Sequence, residues 1–167
     1  AKAYVAELRS ILVAVGASDG KMEEGSLRVD CNVSVRRRGE DELGTRCEIK
    51  NINSLRAMGR AIDYEAARQV DLITSGEGVV QQTRHWNDAE GRTTLLRSKE
   101  DADDYRYFPE PDLVALDPGE EWVERVRAAL PMLPSARRHR LADTTGSDLE
   151  QTALIVERGP ADLCLAT

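Results

Sequence analysis

Hydrophobic positions change their period along this chain, and each change marks an element. Tyr4, Leu8, Ile11, Leu12 and Val15 recur at helical spacing, with Gly16 at a natural stop. After a loop over residues 17–25 the period becomes two. Leu27, Val29, Cys31, Val33 and Val35 alternate with Ser26, Arg28, Asp30, Asn32, Ser34 and Arg36, which predicts a half-buried strand near residues 26–36. Residues 37–44, with Gly39 and Gly44, read as a hairpin loop. A second alternating run follows, with Thr45, Cys47 and Ile49 on one side and Arg46, Glu48 and Lys50 on the other. The short polar connection makes the two strands an antiparallel pair.

Asn53 or Ser54 can cap the next helix, which the spacing places from Leu55 to Thr74. Its predicted face runs through Leu55, Met58, Ile62, Ala66, Gln69 or Val70, and Ile73, and Gly76 and Gly78 stop it. Residues 79–86 and 93–98 predict a second hairpin about a turn at 87–91. The segment 101–113, dense in charge, aromatics and proline, reads as an ordered loop. Asp117-Pro118-Gly119 is a turn, and the pattern is helical beyond it. Trp122, Val126, Ala129 and Leu130 form one stripe, and further short helices fall at 137–141 and 148–158. The expected fold is α+β: an antiparallel sheet with packing helices over residues 1–116, then a linker and the start of a helical domain over residues 117–167.

Composition adds constraints. The 167 residues are 41% hydrophobic and 32% charged, with only 4% aromatic, so the core must rest on aliphatic side chains. No apolar run approaches the roughly 20 residues of a membrane span, and no membrane partner is expected. Cys31, Cys47 and Cys164 lack zinc-site spacing and read as small buried residues of a cytoplasmic protein. A net charge of −7 argues against an indiscriminate nucleic-acid binder. The runs Arg36-Arg37-Arg38 and Arg137-Arg138-His139-Arg140 leave local attraction to tRNA open, although such runs are more often solvated faces. The first residue is not Met and already lies in a helical pattern, which suggests a piece of a longer protein.

The chemistry sits on the polar face of the first strand pair. Arg28, Asp30 and Asn32 lie on one strand and Arg46, Glu48 and Lys50 on the next, with Met22-Glu23-Glu24-Gly25 leading in. Hard oxygen ligands suit Mg²⁺, which takes one or two carboxylates plus water and phosphates, and neighbouring Arg or Lys can hold phosphate oxygens. The same pattern also describes a solvated sheet face laced with ion pairs worth about 0–1 kcal/mol each, and on pattern alone that is the commoner outcome. No Walker loop, dinucleotide turn or nucleophile elbow occurs. His85 and His139 have no ligand partner at metal spacing and read as surface residues. Tyr105, Tyr107 and Phe108 beside Arg106 could stack on a base, or pack a loop onto the sheet.

Longer strings are more specific. Lys21-Met22-Glu23-Glu24-Gly25-Ser26-Leu27-Arg28-Val29-Asp30 with Asn32-Val33-Ser34 resembles the signature of the GatB family of tRNA-dependent amidotransferase subunits, and of archaeal GatE. Glu48-Ile49-Lys50-Asn51-Ile52-Asn53-Ser54 is similar to a second family string. Arg97-Ser98-Lys99-Glu100 with Asp103-Asp104-Tyr105-Arg106-Tyr107-Phe108-Pro109-Glu110-Pro111-Asp112-Leu113 resembles a third, and Pro134-Ser135-Ala136-Arg137 resembles the entrance to the family's helical domain. The order is the family's order. Cys31 stands where the family more often has Ala, and the likeness weakens after Leu141.

The resemblance implies a glutamine-synthetase-like cradle whose polar sheet face carries ATP and Mg²⁺. Such a site phosphorylates the side-chain carboxylate of mischarged Glu-tRNA(Gln) or Asp-tRNA(Asn), and ammonia from glutamine then displaces the phosphate. GatA and GatC subunits and the mischarged tRNA are the implied partners. Carried onto this sequence, Glu24, Glu48 and Glu23 are the expected metal ligands. Asp30 and Asn32 are expected to contact the nucleotide. Arg28, Lys50, Arg97, Lys99 and Arg106 are expected at phosphate or carboxylate oxygens. An N-terminal segment that gives the family further metal ligands, and a tRNA-gripping tail, are not in this sequence, so the chain alone is expected to be inactive. The competing expectation is a non-catalytic tRNA- or subunit-interaction module on the same scaffold.

Overall fold

The computed structural model describes residues 1–98 and 111–159. In chain order the elements are α1 (Lys2–Ala14), β1 (Val29–Val33), β2 (Cys47–Ile52), α2 (Leu55–Thr74), β3 (Gln82–Asn87), β4 (Arg92–Ser98), α3 (Glu120–Ala129), α4 (Pro134–Thr145) and α5 (Leu149–Arg158). The chain divides into two compact units, residues 1–6 with 20–104 and residues 7–19 with 105–167.

The first unit is α+β, as expected. Its four strands lie in the order β1-β2-β3-β4. The outer pairs, β1 with β2 and β3 with β4, are antiparallel, whereas β2 and β3 run parallel. The parallel pair follows from connectivity: β2 leads into the 20-residue helix α2, a crossover long enough to return the chain to the same end of the sheet. The strands are shorter than the alternation suggests. Beyond Val33 the chain folds back on itself, and a Cβ on Gly44 would lie 2.0 Å from the Val35 carbonyl oxygen. Only a residue without a side chain allows that approach.

Helix α2 begins where Ser54 Oγ accepts the Ala57 N–H at 3.0 Å and ends where Glu77 N–H reaches the Leu72 carbonyl at 2.8 Å. It covers one face of the sheet. Cys31, Val33, Ile49, Ile52, Met58, Ala61 and Trp86 form the core with Met22 and Val5. Trp86 is its largest member, edge-on to Tyr64 at 6.4 Å, with the Arg60 guanidinium 5.5 Å from its ring. Cys31 and Cys47 are buried, as expected of them.

The buried face of α2 is not the predicted one. Ala57, Met58, Ala61, Glu65 and Gln69 line it, and Val70 is 50% exposed. A carboxylate can occupy the centre because its oxygens are matched. Arg68 donates to Glu65 through Nε at 2.9 Å and Nη2 at 2.7 Å, and Gln69 Nε2 donates at 2.8 Å. Arg84 Nε lies 3.4 Å away, itself donating to Thr93 Oγ1 at 2.8 Å. Periodicity counts hydrophobic residues and has no means of seeing a charge neutralised by a strand that follows later in the sequence.

In α1 the predicted stripe also misses the core: Val5 is its buried residue, while Tyr4 is 73% exposed. The second unit is helical over its described residues. Leu141 and Thr152 are fully buried where α4 and α5 pack together. Asp148 caps α5 by accepting the Gln151 N–H at 2.7 Å, and Arg138 pairs with Glu7 at 2.7 Å. Helix α3 forms where its stripe predicts but buries none of it, and Trp122 is 52% exposed.

Candidate functional site

The face of the sheet away from α2 is polar because alternation leaves it so. Asn32 stands opposite Glu48 in the β1–β2 register. Across the parallel pair, Glu48 stands beside Thr83 and Lys50 beside His85. On β4, Thr94 faces His85 and Arg97 faces Thr83. The face therefore spans all the strands, and β3 brings to it residues far from β2 in sequence.

Lys50 is the hub. Its Nζ lies 2.9 Å from Asp30 Oδ2 and 3.3 Å from Glu48 Oε1. The hydrogen bond to Asp30, reinforced by that carboxylate's charge and by Glu48, outweighs desolvation and raises the pKa of the ammonium. The other Glu48 oxygen accepts from Thr83 Oγ1 at 3.1 Å. Two carboxylates, one cation and a hydroxyl are thus held by backbone register rather than by a loop.

A bulge shapes the neighbouring pocket. Cys31 pairs with Ile49 and Val29 with Ile52, so one residue of β1 faces two of β2. The irregular residue is Asn51, with φ +66°. It lets Ile49 and Ile52 both enter the core while Lys50 and Asn51 face outward. Asn51 Nδ2 donates to the Trp86 carbonyl at 3.1 Å and lies 3.1 Å from His85 Nε2. Arg28, Asp30, Lys50, Asn51, Asn53 and His85 line a pocket of about 390 Å³, with Val29 and Ile52 as its apolar part.

The turn carrying Glu23 and Glu24 is anchored by buried Met22 and closed by the Ser26 N–H on the Lys21 carbonyl at 3.0 Å. Gly25, at φ +81°, leaves room for the Arg28 guanidinium, whose Nε and Nη2 lie 3.6 Å from where a Cβ would stand. Glu23 and Glu24 are exposed, and Glu24 pairs with Lys21 at 2.8 Å. Among the described residues no three His, Cys, Asp or Glu side chains gather as a metal cage, so Glu23, Glu24 and Glu48 are not assembled into one. The donor set that does come together, Asp30 and Glu48, has the hard oxygens and the ligand count that suit a Mg²⁺ arriving with phosphates. Lys50 stands between them as a competing cation.

Of the expected site residues, Arg28, Asp30 and Lys50 line the pocket and Glu48 and Asn32 share its face. Arg97 occupies the register position facing Thr83. Lys99 and Arg106 lie outside the described residues, as does the Tyr105, Tyr107 and Phe108 cluster. Sequence reasoning passed over Asn51, Asn53, Thr83 and His85. Asn51 carried a signal: Ile49 and Ile52 are three apart where a regular strand requires two. His85 carried none without the β2–β3 pairing.

Comparison with known proteins adds the family. The sequence model of the GatB/GatE catalytic domain matches residues 1–124. The chain is 57% identical over 141 residues to the GatB-type subunit of the aspartyl/glutamyl-tRNA(Asn/Gln) amidotransferase of Thermobifida fusca, covering 84% of this chain and 27% of that protein. The corresponding amidotransferase subunit from Kineococcus radiotolerans is 54% identical over 168 residues, covering 100% of this chain and 33% of that protein. The one from Moorella thermoacetica is 55% identical over 146 residues, covering 87% and 31%. The chain therefore spans about a third of the length of the curated relatives it matches.

Proposed function

We propose, from the premise that this chain belongs to the GatB/GatE catalytic-domain family, that its polar sheet face is part of the centre that activates the side-chain carboxylate of Glu-tRNA(Gln) or Asp-tRNA(Asn) for amidation. A carboxylate is a poor electrophile because its departing group would be an oxide. ATP supplies the phosphoryl group that makes a leaving group of that oxygen, and Mg²⁺ offsets the charge of its phosphates. GatA and GatC as companion subunits, mischarged tRNA as substrate and a cytoplasmic site of action belong to the same proposal.

The residues contribute binding and charge. Asp30 and Glu48 offer oxygens to the metal, with Glu23 and Glu24 on the adjoining turn. Arg28 and Lys50 bind phosphate or carboxylate oxygens, and Arg97, Lys99 and Arg106 are assigned the same task. Asn32 offers a neutral amide to the nucleotide. Release of Lys50 from Asp30 and Glu48 frees its ammonium for the ligand at the moment the two carboxylates gain another cation. The observation that carries the proposal is this paired arrangement, Lys50 within 2.9 and 3.3 Å of two carboxylates beside an open pocket.

The test is made in the complete amidotransferase. Lys50→Met lowers ATP-dependent phosphorylation of mischarged tRNA by about 100-fold or more, the scale for losing one preorganised charge partner, while glutamine hydrolysis continues. A variant phosphorylating at the unmodified rate overturns the reading and leaves the interaction module in its place.

A further inference from the structure

Asn51 and His85 meet at the pocket wall, and their hydrogen bonds admit one arrangement of protons. The Trp86 carbonyl oxygen only accepts, so the amide atom 3.1 Å from it is the NH₂ nitrogen. That same nitrogen lies 3.1 Å from His85 Nε2. With its other hydrogen directed there, Nε2 must accept, and the proton of the neutral ring sits on Nδ1. The amide has little freedom to turn away. Asn51 is the extra residue of the bulge, at φ +66°, fixed between ion-paired Lys50 and buried Ile52. Asn is among the few residues with a side chain that tolerate this backbone region. Among the described residues Nδ1 of His85 has no hydrogen-bond partner, whereas Nδ1 of His139 lies 2.8 Å from the Ser135 carbonyl.

We propose that Asn51 is a positioning residue that holds His85 as an Nδ1-protonated, neutral hydrogen-bond donor to the pocket. With Arg28 and Lys50 on the same wall, the pocket then presents donors to an oxyanion, and this part rests on the function proposed above. Phosphate oxygens and a substrate carboxylate share that chemistry. A neutral donor differs from a further cation: it orients one oxygen without adding charge that Asp30 would compete for.

The test is ¹⁵N NMR of the chain labelled at histidine, at alkaline pH where the rings are neutral. The sequence has two histidines, so His139→Gln leaves His85 alone in the spectrum. The expected result is a protonated Nδ1 and a bare Nε2. Asn51→Gly keeps the backbone conformation but removes the amide, and the preference for Nδ1–H disappears. Asn51→Asp replaces the donor by an acceptor, and the proton moves to Nε2. An Nε2–H ring in the unsubstituted chain overturns the inference whether or not either variant folds, as does an unchanged tautomer in folded Asn51→Gly. Inorganic phosphate and acetate are then titrated separately. A saturable shift of the Nδ1–H signal with phosphate alone assigns the wall to phosphate oxygens, with acetate alone to a carboxylate, and with both to oxyanions generally. No response to either overturns the donor role. The spectrum needs no turnover, so its failure is separable from failure of the Lys50→Met assay, which tests the function itself.

Discussion

Glu65 is a fully buried carboxylate that nonetheless keeps its charge. Burial pushes its pKa up, but hydrogen bonds from Arg68 and Gln69 and the charges of Arg68 and Arg84 outweigh burial and hold it below the usual glutamate range. Burial, with repulsion from Arg68, also pulls Arg84 down from the ordinary arginine value. The pair is therefore matched only while both are present. Glu65→Gln leaves Arg84 beneath the sheet without its counter-charge, and unfolding free energy at about pH 7 falls by ~3–5 kcal/mol, the scale for breaking one side of a buried pair. The pH dependence has a definite sign. A folded pKa below the unfolded one gives stability that is full above the unfolded value and is lost as pH falls through the folded value. Urea unfolding from neutral pH into the acid range shows this loss in the native protein. The loss is smaller in Glu65→Gln, and an unchanged acid slope would remove Glu65 from its explanation.

Elements differ in how firmly they are tied down, and the difference is visible in what each buries. Helix α2 is capped at both ends and packs along the sheet; α3 has no buried residue and no side-chain cap at Gly119. Isolated helices as short as the 10 residues of α3 are marginal in water, because nucleation costs more than few turns return. Amide hydrogen exchange therefore occurs in α3 by local opening at little cost, while the central amides of α2 wait for unfolding of its unit. Protection in α3 equal to that in α2 contradicts this ranking. The β2 bulge is the opposite case, a small irregularity held firmly. It turns the face after Lys50 so that Asn51 reaches Trp86 and His85 on β3. One inserted residue thereby joins the pocket wall to the core.

At the scale of the molecule, the family is shown over residues 1–124, and relatives at 53–57% identity extend about three times further than this chain. The proposed chemistry must hold metal, nucleotide, carboxylate and ammonia in register, which demands placement within a fraction of an ångström. Two carboxylates already engaged with Lys50 leave Mg²⁺ loosely held and heavily hydrated. The isolated chain is thus expected to give no tRNA-dependent ADP release when supplied with ATP, Mg²⁺ and mischarged tRNA. Its net charge of −7 adds little general attraction for tRNA. Clear turnover by the chain alone shows that these residues suffice for chemistry and overturns the site as drawn. Among the described residues no helix is long and apolar enough to cross a membrane.

Local pattern determined the elements. The 20 residues of α2 and its Ser54 cap, the strands about Cys31 and Ile49, the second hairpin and the C-terminal helices all follow from period, caps and turn residues, which act within a few positions of the chain. The family strings added Arg28, Asp30, Glu48 and Lys50 as residues of interest before any contact was known. Tertiary structure decided the rest. Whether β2 and β3 run parallel depends on where α2 lays the chain down, so Thr83 and His85 could not be placed beside Glu48 and Lys50 from spacing. That Glu65, rather than a hydrophobic residue, occupies the buried centre of α2 depends on Arg84, 19 positions later by the numbering. Neutralisation of a buried charge, strand order and a bulge's effect on facing are all set by contacts between segments distant in sequence, and no local period records them.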